Sequence, residues 1–318
     1  MKILVTGSSG LVGSKLLPVL QKEGYEVKRL VRSKAGANSI QWNPKAESMD
    51  EAALSALEGF SAVIHLAGES IAGRWTQDKK TKIRESRVQG TKVLCEALAK
   101  LKRPPKVLIA ASAIGYYGDR GDEVLTEDST PGTGFLPEVC REWEAAAEPA
   151  AKCGIRVVHA RLGIVLSRAG GALAKMLFPF QMGVGGVIGS GKQYMSWIAI
   201  DDVTGAIKHA IMTESVKGAV NLVSPEAATN REFTKALGSV LSRPTIIPMP
   251  AFMARLAFGE MGDALLLGST RVKPVRLKES RYVFQFEDLK TALSHVLAKG
   301  EDSVEWKQNT NTKRRKRA

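Results

Sequence analysis

The first thirteen residues constrain the fold of this chain more than any other stretch. A short apolar run at residues 2–5 leads into Gly7, Gly10 and Gly13, and apolar side chains at helical spacing then continue as far as Gly24. A strand, a glycine turn and a helix N-terminus form a cradle for phosphate, because free N–H groups and the helix dipole attract an anion. Gly7 would allow the tight turn, Gly10 the approach of a pyrophosphate, and Gly13 close packing of the helix on the sheet. The pattern predicts a dinucleotide site, with a purely structural turn as the alternative.

The end of the second predicted strand indicates which dinucleotide is bound. Residues 26–31 form that strand, and Arg32 and Lys34 follow it, whereas the nearest acid, Glu26, lies at its start. At this position an acidic side chain hydrogen-bonds the ribose 2′-hydroxyl of NAD, and a cation accommodates the 2′-phosphate of NADP. The sequence therefore predicts NADP(H), with NAD(H) less favoured. The alternative is that both cations are solvated surface residues.

Strand-like and helix-like segments alternate through the first half of the chain. Buried strands are predicted at residues 62–66, 107–111 and 157–162, and helices at 75–101 and 138–150. This alternation is typical of an α/β protein with a Rossmann-type, doubly wound parallel sheet. Ligands of such sheets bind where the strands end. The candidates at two of these ends are Ala67 and Gly68, then Ser112, Tyr116 and Tyr117. His65, inside a strand, is expected to be a satisfied core residue.

Changes in composition and in the apolar pattern along the sequence divide the chain into a cofactor domain, a smaller substrate lobe and a tail. Residues 1–165 form the predicted NADP-binding Rossmann domain, to which residues 196–224 return, beginning with a strand at 196–202. Residues 166–195 include a glycine-rich segment able to close over a substrate. They combine with residues 225–298 in a C-terminal substrate lobe. Residues 299–318 form a basic tail that is expected to be disordered.

The composition of the chain indicates which kinds of partner it can bind and which cell compartment it occupies. The net charge of +14 includes five cations at residues 313–317, which a solvated chain end explains more simply than a nucleic-acid partner. Cys95, Cys140 and Cys153 have neither metal-ligand nor disulfide spacing, so we expect no metal and a reducing compartment. No apolar run approaches the ~20 residues needed to span a bilayer, and no signal peptide is recognised. We expect a cytoplasmic protein without a membrane partner, and an oligomer is possible.

Several long blocks, in order, resemble the extended short-chain dehydrogenase/reductase superfamily. They read TGSSGLVG, LAGESIAGRW, SRVQGT, ASAIGYYGDRGDEVLTEDS, CREWEAAA, RLGIVLSRAGGALAKML and SWIAIDDV. The chain is most similar to the atypical subgroup of epimerase family proteins, which are sometimes labelled cell-division inhibitors. The segment MARLAFGEMGDALLLGSTRVKP resembles the short C-terminal domain of that subgroup. The resemblance covers residues 1–298 and implies an NADP-binding domain, with the substrate between it and a smaller C-terminal lobe.

The resemblance also implies cofactor contacts by position. The residues that match the diphosphate loop are Gly7, Ser9, Gly10, Leu11, Val12 and Gly13. Those that match the adenine-side turn are Leu66, Ala67 and Gly68. Arg32, with Lys34, matches the 2′-phosphate contact, and Arg87 matches an arginine whose helix runs beside the cofactor. Arg161 is a further candidate. The alternatives are an exposed helix cation for Arg87 and a strand-end ion pair for Arg161.

The catalytic pair of the superfamily is missing from this chain. Its reaction uses a Tyr-x-x-x-Lys pair on one helix, where the lysine cation favours the phenolate of the tyrosine. No tyrosine here has a lysine four residues later, and Leu136 and Cys140 stand where the pair is expected. Nothing nearby in the sequence would lower the pKa of Cys140, so it is not favoured as a nucleophile.

Two hypotheses follow from this departure. In the first, acid–base work has moved to Ser112, Tyr116 or Tyr117, and the chain is an NADP(H)-dependent oxidoreductase or epimerase-like enzyme for a small polar substrate such as a nucleotide sugar. In the second, the chain is a non-catalytic NADP(H)-binding regulator, linked to cell division, whose partner senses the cofactor's redox state. For Ser112 the alternative is capping of the turn, and for the two tyrosines it is packing.

Overall fold

The computed structural model describes residues 1–33 and 36–298, so Lys34 and the basic tail at 299–318 lie outside the described residues. The strands are β1 (Lys2–Thr6), β2 (Glu26–Val31), β3 (Ser39–Gln41), β4 (Ala62–His65), β5 (Val107–Ala113), β6 (Val124–Leu125), β7 (Arg156–Leu162), β8 (Ile164–Leu166), β9 (Tyr194–Met195), β10 (Trp197–Ala199), β11 (Gly218–Leu222), β12 (Ala228–Thr229) and β13 (Arg271–Val272). The helices are α1 (Leu11–Lys22), α2 (Glu51–Ala56), α3 (Gln77–Ala99), α4 (Phe135–Ala145), α5 (Glu148–Lys152), α6 (Gly171–Gln181), α7 (Ile200–Met212), α8 (Asn230–Leu241), α9 (Ala251–Phe258), α10 (Glu260–Gly262), α11 (Val275–Glu279) and α12 (Leu289–Leu297).

The centre of the fold is a seven-stranded sheet with the order β11-β7-β5-β4-β1-β2-β3, in which every neighbouring pair is parallel. The chain proceeds outward from β1 in one direction through β2 and β3, and in the other from β4 onward. The switch point therefore lies between β1 and β4, where Thr6 pairs with His65 at the carboxyl ends. This arrangement confirms the predicted Rossmann-type α/β sheet and places a crevice at that edge.

Two apolar layers cover the faces of the sheet. Ile3 and Val5 point to one face, where they pack with residues of α1 and α7. Leu4 points to the other, against α2, α3 and the end of α5. Both sets of alternating side chains are fully buried, as expected for parallel strands covered by helices on both sides.

The C-terminal half adds smaller layers to this core. β8 pairs in parallel with β10, and a third apolar cluster joins them to α6, α8 and α12. β9 and β12 form a short antiparallel pair. The division into a cofactor domain and a substrate lobe stays a prediction, although β11 does lie in the large sheet beside β7.

The loop that follows β5 is held by residues from near the end of the chain. β6, in this loop, pairs in parallel with β13. The backbone N–H of Arg120 donates to the carbonyl of Ser269 at 2.9 Å, and the hydroxyl of Thr270 donates to the carbonyl of Gly118 at 3.0 Å. The shape of this loop therefore depends on contacts about 150 residues apart in sequence.

Three predicted boundaries are wrong. β5 continues to Ala113, so Ser112 lies inside the strand. The helix predicted at 138–150 is two helices, and Pro149 stands in the first turn of α5 instead of ending a helix, since proline lacks only an N–H that is unpaired there anyway. The strand predicted at 196–202 ends at Ala199, and its two aspartates form the first turn of α7, where the helix dipole favours acids.

Within the described residues, no helix is both long and apolar enough to cross a membrane. The same part of the chain holds no group of three or more side chains arranged to bind a metal. All three cysteines are free.

Candidate functional site

The glycine turn after β1 is shaped by its own close contacts. Gly7 has φ +65°, a region that favours glycine, and a Cβ there would lie 2.5 Å from the carbonyl carbon of Leu66. A Cβ on Gly13 would overlap the carbonyl of Gly7 and lie 2.8 Å from the Cα of Ser8. Gly13 therefore permits close packing of α1 on the turn that follows β1, and its role in packing the helix on the sheet stays a prediction.

Gly10 differs from its two neighbours. Its φ is −78°, which any residue adopts, and the nearest atom to an added Cβ, the Gly7 carbonyl oxygen, lies 3.2 Å away with nothing else within 4 Å. A Cβ here requires the Gly7 carbonyl to shift by only a few tenths of an ångström, a much smaller change than a Cβ on Gly7 or Gly13 would require. The outer side of this residue is open to an approaching group, as a cradle for phosphate requires.

The N-terminus of α1 is free to hold an anion. Among residues 1–33 and 36–298 no side chain caps this helix, and its first turn contains no acidic residue. Ser9 and Gly10 are exposed, and Leu11 and Val12, half-buried, begin the helix. The backbone N–H groups of the first turn and the positive end of the dipole would therefore face a bound diphosphate. Leu11 also lies against the turn at Gly171, which brings the start of α6 close to this site.

The predicted adenine-side turn, residues 66–68, is positioned by a hydrogen-bonded pair beneath it. The Thr6 hydroxyl bonds Nδ1 of His65 at 2.7 Å and accepts the backbone N–H groups of Leu66 and Ala67. Nε2 of His65 lies 3.0 Å from the hydroxyl of Thr91. Both ring nitrogens are therefore satisfied, and His65 is a core residue, as its place inside an apolar strand predicts.

His65 should make stability depend on pH. Burial lowers the pKa of His65 to about 4, whereas an unfolded histidine titrates near 6.5. The unfolded chain therefore binds more protons between these values, so stability falls by about 3 kcal/mol as pH drops from 6.5 to 4. Urea unfolding of the wild type and His65→Gln from pH 7 to 4.5 measures the slope. The wild type should show the steeper loss, and equal slopes, or an NMR titration of this ring near pH 6.5, would contradict the assignment.

Two arginines lie beside this crevice. Arg87 is half-buried, and its Nη1 donates to the carbonyls of Glu69 and Ile83 at 3.0 and 3.1 Å. A Cβ on Gly68 would lie 3.4 Å from its guanidinium carbon, so Arg87 backs the predicted adenine-side turn. Arg32 is exposed at the end of β2, and in the described part of the chain it forms no ion pair within 4 Å. Their contacts with the cofactor, like those of Lys34, stay predictions.

A buried polar network lies at the carboxyl end of β5. Nε and Nη2 of Arg161 donate to the two carboxylate oxygens of Glu144 at 2.8 and 2.9 Å. The Ser112 hydroxyl donates to the same carboxylate at 2.7 Å. Nη1 of Arg161 donates to the Tyr117 hydroxyl, which in turn donates to Oδ1 of Asn221 at 2.7 Å. Four of the five N–H groups of Arg161 are thereby used, counting one to the carbonyl of Glu127.

This network engages two of the three predicted acid–base residues inside the protein and leaves the third partly accessible. Ser112 and Tyr117 are 1% and 0% exposed, and their hydroxyls are engaged inside the protein. Burial raises the pKa of Tyr117 to about 12, although the Arg161 cation opposes that shift. Tyr116 is only half-buried, and its ring lies 3.5 Å from the guanidinium carbon of Arg161. Among the three, Tyr116 is therefore the one a substrate can reach without rearrangement. Arg161 lies in an ion pair with Glu144, which is the alternative to a cofactor contact that the sequence indicated for this residue.

The face of α4 that approaches β5 carries three residues spaced one helical turn apart, which are Leu136, Cys140 and Glu144. A Cβ on Gly115 would lie 3.4 Å from Cβ of Leu136 and 3.8 Å from Sγ of Cys140. Burial raises the pKa of Cys140 to about 12, so it is no nucleophile. Glu144 completes the row. Sequence reasoning missed Glu144, although its spacing of four residues after Cys140 places it on this face.

The parallel sheet, the glycine turn and the uncapped helix at the switch point define a Rossmann-type dinucleotide-binding protein. Residues 3–222 match the NAD dependent epimerase/dehydratase family, and residues 249–296 match a domain of unknown function, DUF1731. The chain belongs to the NAD dependent epimerase/dehydratase family. This confirms the resemblance, including the extra C-terminal domain.

Similar proteins are known from bacteria and human. Epimerase family protein Mb2239 of Mycobacterium bovis is 42% identical over 297 residues, covering 92% of this chain and 97% of that one. A crystal structure of human epimerase family protein SDR39U1 with NADPH superposes with a TM-score of 0.85 at 34% identity, covering 93% and 99% of the two chains. A nucleoside-diphosphate sugar epimerase from Corynebacterium glutamicum gives 0.78 at 35% identity, covering 99% of this chain and 61% of that one. The predicted choice of NADP(H) agrees with the ligand of the human protein.

Proposed function

We propose that this chain is an NADP(H)-dependent oxidoreductase or epimerase-like enzyme for a small polar molecule of the nucleotide-sugar class. The observation that carries the proposal is the open glycine turn at Gly10, which leads into an uncapped helix at the switch point of a parallel sheet. The NADPH in the human relative supports the cofactor, and the name of the Corynebacterium relative supports the substrate class. A cytoplasmic location remains a prediction.

The residues around the turn fit the proposed cofactor. The first turn of α1 would hold the diphosphate, and residues 66–68 with Arg87 behind them would border the adenosine. Arg32 would pair with the 2′-phosphate, because it is exposed at the strand end and has no other ion-pair partner among the described residues. When bound, NADPH supplies the hydride, and the chain's own contribution is to position the substrate and move a proton.

Arg32→Gln should weaken NADPH binding roughly 10- to 100-fold and leave NADH binding unchanged, because a charge-assisted contact with a phosphate is worth ~1.5–3 kcal/mol. Fluorescence titration of both reduced cofactors measures the change. Arg29→Gln is the matched control, since Arg29 is an exposed cation three residues earlier on the same strand. If Arg32→Gln lost affinity for NADH as much as for NADPH, or if Arg29→Gln lost as much NADPH affinity as Arg32→Gln, Arg32 would not be the 2′-phosphate contact.

Tyr116 is the proposed proton carrier. It follows β5 at the ligand-binding edge, it is half-buried, and Arg161 holds its ring. A screen of nucleotide sugars with NADPH fluorescence as the readout identifies a substrate. With that substrate, Tyr116→Phe should lower turnover about 100-fold without changing NADPH affinity. Tyr25→Phe, a partly buried tyrosine packed on the core away from this edge, should retain wild-type turnover. Unchanged turnover in Tyr116→Phe would refute the role.

A non-catalytic NADP(H)-binding regulator is the second candidate. Two observations favour it: the Tyr-x-x-x-Lys pair is replaced by Leu136 and Cys140, and the hydroxyls of Ser112 and Tyr117 are engaged internally. The same screen separates the two candidates. Turnover of any substrate removes the regulator as the sole function, whereas tight NADPH binding without turnover across the screen supports it.

A further inference from the structure

One surface of the protein exposes an unusual number of large apolar side chains. Eight of them, each 50–80% exposed, belong to residues 178–184 and 246–256. We call this set the apolar patch; its members are Phe178, Met182, Val184, Ile246, Ile247, Phe252, Met253 and Leu256. Together they present roughly 800 Å² of apolar surface, above the ~300–600 Å² of the largest patch on a typical monomer. A surface of this size requires an explanation.

The two segments of the apolar patch are joined in space. Nε of Arg243 donates to the carbonyl of Gln181 at 2.8 Å, at the end of α6. Farther along, the N–H of Met249 donates to the carbonyl of Val187 at 2.8 Å, and the N–H of Gly189 donates to the carbonyl of Met249 at 2.9 Å. α9 begins two residues later. The exposed side chains therefore lie on two adjoining segments that run from α6 to α9.

The orientation of α9 leaves its larger apolar residues outside. Ala254 is fully buried, whereas Phe252 and Leu256, one turn apart, are 67% and 75% exposed. A helix packed only for the protein's own core would turn its large apolar residues inward and its small or polar residues outward. The outward face of α9 thus lacks a partner within the described residues.

The segments that carry the apolar patch contain only cations as charged residues, and one of these cations is paired with an acid from a neighbouring segment. Residues 171–200 and 233–259 contain no aspartate or glutamate, but they carry five cations, which are Lys175, Lys192, Lys235, Arg243 and Arg255. The acids that flank these segments in sequence all have partners: Asp201 pairs with Lys15, Glu232 caps α8, and Glu260 and Asp263 pair with Lys80 and Arg255. Arg255 is thus neutralised, whereas the other four cations form no ion pair among the described residues. Large apolar groups accompanied by cations match a bilayer surface that contains anionic lipids, where acyl chains receive the apolar groups and headgroups pair with the cations.

A second copy of the chain fits this surface less well. Two-fold contacts place the same patch on both sides, so the unpaired cations of one copy would face those of the other, and Asp263 is already paired with Arg255 of its own chain. We propose that the apolar patch docks this protein on an anionic membrane surface. The expectation that no membrane is involved rested on the absence of a spanning segment, and a surface contact needs none. The proposal is independent of the proposed function.

Sedimentation of the full chain with lipid vesicles tests the proposal. The wild type should bind vesicles of phosphatidylcholine with 40% phosphatidylglycerol and not vesicles of phosphatidylcholine alone. Phe252→Glu/Leu256→Glu, and separately Lys175→Gln/Lys235→Gln, should each reduce binding about tenfold or more. NADPH binding and the melting temperature should stay at the wild-type values in both, which excludes misfolding as the cause.

Matched controls isolate the patch. Met212→Glu and Val283→Glu introduce the same charge at side chains that are 65% and 82% exposed but lie outside the patch, and they should bind like the wild type. Replacing the five cations at 313–317 by Gln separates the patch from the basic tail and should leave most binding intact. The proposal fails if the wild type does not bind anionic vesicles, or if the tail variant or the two control variants lose binding as strongly as the patch variants. It also fails if analytical ultracentrifugation shows a dimer of the wild type that Leu256→Glu converts to a monomer.

Discussion

Gly10→Val should reduce NADPH affinity at least ~100-fold while the protein keeps its fold. The backbone of Gly10 is in a conformation that valine adopts, and only the carbonyl oxygen of Gly7 lies near the added Cβ, at 3.2 Å. The valine side chain would therefore occupy the outer face of the turn, where the diphosphate must contact the N–H groups of α1. Losing two such charge-assisted hydrogen bonds costs about 3 kcal/mol or more.

Thermal protection separates lost binding from lost folding in this experiment. NADPH at 100 times its Kd should stabilise the wild type by about 2.7 kcal/mol, and Gly10→Val should melt like the unliganded wild type with or without NADPH. Gly13→Val is the contrasting variant, because its Cβ would lie 2.8 Å from the backbone of Ser8 and should destabilise the protein itself. Wild-type protection by NADPH in Gly10→Val would remove the diphosphate assignment, and the list of cofactor contacts with it.

Arg161→Met should destabilise the fold far more than the loss of an exposed cation. The variant leaves the Glu144 carboxylate buried and without its cation, and removing one partner of a buried ion pair typically costs ~3–5 kcal/mol. For a chain of this size that corresponds to a melting temperature lower by roughly 4–8 °C. Urea unfolding and calorimetry provide the measurement.

A second substitution should restore much of that loss. In Arg161→Met/Glu144→Leu neither buried charge remains, and apolar replacement of a whole buried pair is often neutral. The Ser112 hydroxyl then lacks its acceptor, so recovery should fall about 1 kcal/mol short. Lys152→Met is the exposed control, since the Lys152–Glu148 pair is 72% and 62% exposed, and its effect should stay within about 0.5 kcal/mol. Equal stability of Arg161→Met and wild type would show that the network is dispensable.

Local pattern predicted the parts of this protein that depend on neighbours in sequence. The strand, the glycine turn and the first helix were readable because periodicity and glycine chemistry act over a few residues, and Gly7 indeed has a positive φ. The errors arose where distant contacts override local preference. Asp202, for example, lies in a helix and accepts N–H groups from Gln285 and Phe286, which no local pattern reveals.

The same limit applies to the candidate site. Ser112 was predicted to follow β5, but it lies inside that strand, and its hydroxyl is engaged by Glu144, 32 residues later in sequence. The hydroxyl of Tyr117 is held by Asn221, which is 104 residues away. Sequence therefore located the edge of the sheet where chemistry is expected, and only the packed structure distinguished Tyr116 from the two engaged hydroxyls.

The pairing of β6 with β13 has a consequence for how the protein is made. The peptide that leaves the ribosome first contains every strand needed for the glycine turn, yet the loop beside Tyr116 must wait for residues 269–272 before it can settle. A product that ends before these residues would consequently contain the strands of the glycine turn but lack the contacts that hold the loop after β5.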